Sequence, residues 1–122
     1  MFDDVLQEFG ERIGLNTLVF ENNIAMIKIE HEGSVYFEKQ KNMLDEELLV
    51  YIAKEYNIFD ETIPYKVLEH CSYLKENIPS IYGGIVKNSI VLGVRISQDE
   101  KIRGAELETL IYSLINHVKE IN

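Results

Sequence analysis

Between residues 90 and 96, Ile90, Leu92, Val94 and Ile96 alternate without a break with Val91, Gly93 and Arg95. A period of two puts one set on each side of an extended chain, so the segment reads as a strand with one better-buried face. Such a face has to be laid against other apolar surface. The end of the chain supplies it: from Gly104 on, Leu107, Leu110, Ile111, Leu114, Ile115, Val118 and Ile121 recur at three- and four-residue spacing along one side of a helix. Burying these would contribute about 1.5–3 kcal/mol each before chain entropy is set against it. A half-covered sheet with a long amphipathic helix is an α+β arrangement.

The rest of the chain fits that class. Phe2, Val5, Leu6, Phe9 and Ile13 make an amphipathic stripe opposite Asp3, Asp4, Glu8, Glu11 and Arg12. The two aspartates suit the positive N-terminal end of a helix, and Gly14 suits its left-handed end. Candidate strands follow at 17–20, 24–30 and 34–39, separated by polar turns at Glu21-Asn22-Asn23 and His31-Glu32-Gly33. Residues 46–56 are ambiguous. Leu48, Leu49, Ile52 and Tyr56 fit a helix, while Leu48-Leu49-Val50-Tyr51-Ile52 is also the continuous run of a buried strand. Pro64 fits the first turn of another helix, with Val67, Cys71, Leu74 and Ile78 on one stripe, Leu68 beside it and Pro79 as its stop. A strand over 81–86 and a turn at Lys87-Asn88 lead into the alternating segment. At 122 residues and 46% hydrophobic, without repeat or linker, the chain is expected to form one domain, 1–122.

Composition narrows the function. A formal net charge of −9 provides no basic face for nucleic acid or for an anionic membrane. Cys71 is the single cysteine, so no intrachain disulfide can form. Phe2-Asp3-Asp4 is acidic where a secretory signal is basic, and no apolar run approaches the roughly 20 residues that span a bilayer. A cytoplasmic protein is expected.

Chemistry-bearing patterns are missing. His31, His70 and His117 form no metal-binding spacing, and His70 and Cys71, adjacent on a helix, point about 100° apart. A buried cysteine beside a surface histidine is the simplest reading. Gly83-Gly84 lacks the lysine and hydroxyl residue of a phosphate loop and marks a bend, a bulge or a close backbone approach inside a strand. Asp45-Glu46-Glu47 and Asp99-Glu100 read as caps and solvated turns. No catalytic residue, cofactor or metal site is expected. What is abundant is aromatic surface: seven tyrosines and five phenylalanines, with strand 24–30 apolar on both faces. Amphipathic tyrosines favour protein interfaces, and a spare apolar face suggests a partner.

The stretch Lys66-Val67-Leu68-Glu69 through Ile78-Pro79, then Ile81-Tyr82-Gly83-Gly84-Ile85, Asn88-Ser89, Ile90 to Arg95 and the helix from Glu106, resembles the class I type III secretion chaperones, the Tir-chaperone family. The opening Leu6 to Gly14, followed by Val19-Phe20 and Asn22-Asn23, is similar to that family's N-terminal helix and first strand. Length and acidity agree. The resemblance implies an antiparallel sheet packed with about three helices, in the order helix, three strands, helix, two strands, helix, with 48–53 as the third strand. It further implies a bacterial cytosolic homodimer, without enzymatic activity, that holds the N-terminal segment of a secreted effector extended and ready for export. The secretion ATPase is a further partner it allows. By carry-over, effector pockets would involve Phe2, Leu6, Phe9, Met26 and Phe37. The dimer contact would involve Val67, Cys71, Leu74, Tyr82, Ile85 and Val86. The competing readings are a small dimeric ligand-binding or regulatory domain with a pocket between sheet and helices, and a small enzyme around His70 or Cys71.

Overall fold

A computed structural model describes residues 1–41, 43–71 and 80–122. The elements run α1 (Phe2–Arg12), β1 (Ile24–Ile29), β2 (Gly33–Lys41), β3 (Glu46–Glu55), α2 (Ile63–Cys71), β4 (Tyr82–Val86), β5 (Ser89–Ser97), a 3-10 turn (Gln98–Glu100) and α3 (Gly104–Ile121). The five strands form one antiparallel sheet in the order β1-β2-β3-β5-β4. The register explains which side chains become the core. Val35 lies opposite Ile52 and Ile52 opposite Leu92, while Phe37 lies opposite Val50 and Val50 opposite Val94. All six are buried, in one cluster with Phe2, Val5, Leu6 and Phe9 of α1 and Leu107, Ile111, Leu114 and Val118 of α3. The helices therefore cover one face of the sheet, and among the described residues no element covers the other.

The ambiguous segment is a strand. β3 pairs along its length with both β2 and β5, and Leu48, Val50 and Ile52 face the core with none of their surface exposed. Leu49 and Tyr51, on the open face, are only half-buried, so the run looked continuous because both faces carry apolar residues. Residues 17–20, read as a strand, are not one. The chain there makes turns and a loop, and only Glu21 forms an isolated bridge, to Ile24. Asn22 and Asn23 both take left-handed backbone angles, φ 53° and 67°, which asparagine tolerates better than most residues. They reverse the chain before 17–20 can pair. The other turns fall where the polar residues put them, with His31 and Lys87 also left-handed.

Two close approaches set the helix positions. Gly104 starts α3 against α1, where a Cβ would come within 2.8 Å of the Phe9 nitrogen. There the Glu8 carboxylate accepts the Gly104 N–H at 3.1 Å and pairs with Arg103, a negative charge at a helix N-terminus. At Gly83, a Cβ would lie 2.5 Å from the Val91 carbonyl oxygen and 3.1 Å from Cys71 Sγ. The glycine lets α2 settle onto β4, the close approach its sequence position suggested.

Candidate polypeptide-binding surface

The open face of the sheet is lined along one row by Met26, Tyr36, Tyr51, Gly93 and Tyr82, each directly opposite the next across five strands. The Tyr36 and Tyr51 rings stack with centroids 5.1 Å apart and planes 14° from parallel. Burial pushes the Tyr51 phenol pKa up, and the neighbouring Glu38 carboxylate pushes it further. Beside this stack, Leu49, Val91 and Val86 help to line a shallow groove of about 470 Å³ that reaches the β4 edge.

At the opposite edge, β1 bonds only to β2 among the described residues. The Asn23 carbonyl accepts the Lys39 N–H at 2.8 Å, which points Asn23 toward β2. Ile24, one residue on, points the other way, and both of its backbone groups are taken by Glu21, at 2.9 and 3.1 Å. Because direction alternates along an antiparallel strand, Met26 and Lys28 present their N–H and C=O groups at the outer edge. Facing that edge, residues 15–21 leave a groove of about 620 Å³ lined by Leu15, Leu18, Val19, Ile24 and Met26. Leu15, Val19, Ile24 and Met26 are each more than 40% exposed. A second groove of about 330 Å³ shares Leu15, Ile27 and Lys28 with the first and continues to Ile29 and Tyr112. An unpaired strand edge flanked by apolar hollows can take an extended polypeptide, main-chain hydrogen bonds holding it and alternate side chains entering the hollows.

No protein-family model and no curated protein matches this sequence. Solved structures do match it in shape. The crystal structure of the Yersinia pestis type III secretion chaperone SycH, in complex with a stable fragment of YscM2, is similar at a TM-score of 0.77 and 15% identity, over 100% of both chains. A chain of the HopA1-SchA chaperone-effector complex is similar at 0.69 and 14% identity, over 98% of this chain and 91% of that one. The fold is that of the type III secretion chaperones.

Within this chaperone fold the expected effector residues separate. Met26 is on the open face, 43% exposed beside the free edge. Phe2, Leu6, Phe9 and Phe37 are not surface residues: all are at most 2% exposed, and the Phe9 and Phe37 rings meet inside the core with centroids 5.6 Å apart. Phe2, Leu6 and Phe9 pack on the sheet against Phe37, and only Phe9 also borders the second groove. Leu15, Val19 and Ile24, exposed beside the same edge, are not among the expected residues; Val19 fell in the strand expected over 17–20. The signal for Ile24 was present in the apolar outer face of its strand.

The expected dimer residues separate as well. Tyr82 and Val86 are exposed on the β4 edge at 59% and 58%, with Ile85 and Cys71 half-buried behind them. Val67 is buried: it shares the inner face of α2 with Ile63 and His70, and the exposed large apolar side chains of that helix are Tyr65 and Leu68. Leu74 lies outside the described residues.

The histidine and cysteine also exchange the burial expected of them. His70 is 6% exposed and Cys71 half-exposed. Desolvation pushes the Cys71 thiol pKa up, the reverse of what an activated nucleophile needs. His70 faces α3, where its Nδ1 lies 2.8 Å from His117 Nδ1 and its Nε2 3.6 Å from a Glu120 carboxylate oxygen.

Proposed function

We propose that this protein is a cytosolic, homodimeric chaperone that binds the N-terminal segment of a type III secreted effector and keeps it extended and competent for export, without hydrolysing nucleotide. The observation that carries the reading is the free β1 edge, with its outward backbone groups at Met26 and Lys28 and the exposed Leu15, Val19, Ile24 and Met26 around it. The effector segment adds as a sixth strand there and places apolar side chains into the two adjoining grooves. The second copy joins at the other end of the sheet, through Tyr82 and Val86 of β4 and the outward Tyr65 and Leu68 of α2. Both relatives in shape were solved with a partner chain: a fragment of YscM2 with SycH, and HopA1 with SchA.

The test is co-expression with the N-terminal segments of candidate effectors, with light scattering on the purified product. A dimer that carries one such segment, without ATP, is expected. Val19→Glu and Met26→Glu together should abolish capture and leave the fold and the dimer intact, since exposed substitutions usually move stability by no more than about 0.5 kcal/mol. A monomer that captures no segment would sink the proposal.

A further inference from the structure

On the helical side of the molecule, away from the β1 groove, three ligand-bearing side chains come together from two helices. His117 and Glu120 are three residues apart on α3, so they share a face. His70 reaches them from α2, 47 residues away in sequence. One coordinating atom from each of the three can be chosen so that all lie within 4.8 Å of one another. The two imidazoles meet edge to face, centroids 5.0 Å apart, with their Nδ1 atoms aimed at each other across 2.8 Å. At 2.8 Å one ring nitrogen donates its N–H and the other accepts. Without that proton, two lone pairs converge where a metal ion could take them.

We propose that His70, His117 and Glu120 form a binding site for a borderline divalent transition-metal ion, with zinc the natural probe. Two neutral imidazoles and one carboxylate are the donor set of open zinc sites, which leave a fourth position for water. Zinc–nitrogen bonds of about 2.0–2.1 Å place two tetrahedral ligand nitrogens roughly 3.3 Å apart. The present 2.8 Å spacing therefore has to widen by about half an ångström, and the Glu120 carboxylate, now 3.6 Å from His70 Nε2, has to swing toward the Nδ1 pair by side-chain rotation. Burial runs from His70, inside, through half-buried His117 to exposed Glu120, so the site is open to solvent at one end and walled at the other. The hard cations calcium and magnesium prefer an all-oxygen shell and do not suit it. A bound ion would fasten α2 to α3.

Zinc titration of the untagged full-length chain, by calorimetry in excess calcium, tests this. One saturable ion per chain is expected, with a rise in melting temperature as the ion binds. His117→Gln should weaken binding by at least the ten- to hundredfold that loss of a ligand's supporting partner costs elsewhere. Circular dichroism without metal checks that this variant folds. Should it not, Glu120→Gln, at an exposed position, serves in its place with the same expected weakening. No saturable zinc binding by the wild type overturns the proposal, and so does unchanged affinity in the folded variant, which would place the ion elsewhere on the acidic surface.

Discussion

Replacing Phe37 with alanine decides whether the aromatic stripe serves the core or a partner. Phe37 is fully buried on β2, opposite Val50 and against Phe9. A buried phenylalanine accounts for about 150–250 Å² of surface. Its truncation in a core costs about 3–5 kcal/mol, combining lost transfer energy with the cavity left behind. Against a total stability of about 5–15 kcal/mol, the variant should remain folded but much weakened. With a urea m-value near ~1.5 kcal/mol/M, the unfolding midpoint should fall by roughly 2 M or more. The melting temperature should fall by about 10–20 °C, taking about 3–5 °C per kcal/mol for a chain of this length. Met26→Ala is the counterpart: at 43% exposure it should shift stability by no more than about 0.5 kcal/mol yet weaken effector capture. Equilibrium urea unfolding followed by circular dichroism measures the first quantity and titration with an effector segment the second. A Phe37→Ala midpoint indistinguishable from wild type, with capture reduced, would refute the reasoning, because it would mean that Phe37 reaches a partner.

The paired glycines of β4 should behave oppositely. Gly83→Ala forces a Cβ to within 2.5 Å of the Val91 carbonyl oxygen and should cost about 1–3 kcal/mol, whereas Gly84→Ala meets nothing within 4 Å and should be neutral or slightly stabilising. Equal unfolding midpoints would contradict the close packing of α2 on β4. Tyr51 titrates above its ordinary value of 10.0 because of its burial and of Glu38. The folded state thus favours the neutral phenol, and that stabilisation is present below the ordinary value and lost as pH rises through the folded one. Wild type should therefore lose more stability in strong alkali than Tyr51→Phe, measured as urea midpoints at increasing pH; identical curves would count against it. Cys71, its thiol pushed up by burial, should react with Ellman's reagent more slowly in the folded chain than in urea. A fast reaction in the native state would reopen a nucleophilic role.

The elements with a single clean period were the ones legible in the sequence. Ile90 to Ile96 alternate because only one face of β5 meets the helices, and the stripe of α3 is regular because one side of it meets the sheet. Legibility failed where both sides of an element are apolar for different reasons. Leu48, Val50 and Ile52 are core, while Leu49 and Tyr51 belong to the open face, and the sum looked like neither pattern. Residues 17–20 have strand-like composition, yet pairing also needs a neighbour, and the turn at Asn22-Asn23 gives them only the single bridge at Glu21. An amphipathic stripe such as Phe2, Leu6 and Phe9 looks the same whether its apolar side meets its own sheet or another protein. The resemblance could supply a type of surface but not the direction of each side chain. The meeting of His70 with His117 had no local signal at all, since no spacing motif spans 47 residues and two helices.

The two edges of the sheet bear on the proposed partners. An open sheet has two edge strands, and exposed edges invite unwanted pairing unless they are short, charged or occupied. β4 is short, five residues with two glycines, but its Tyr82 and Val86 are exposed. β1 carries one lysine, Lys28, between apolar Ile24 and Met26 and the start of the next turn. Neither edge is well blunted, which is costly for an isolated monomer and useful if both edges are filled. Four inter-strand steps of about 4.8 Å put them roughly 19 Å apart. That exceeds the ~7–10 Å over which neighbouring sites usually couple. If an effector pairs with β1 and a second copy with β4, as proposed, the two would be held independently, with the stacked Tyr36 and Tyr51 lying on the sheet between them.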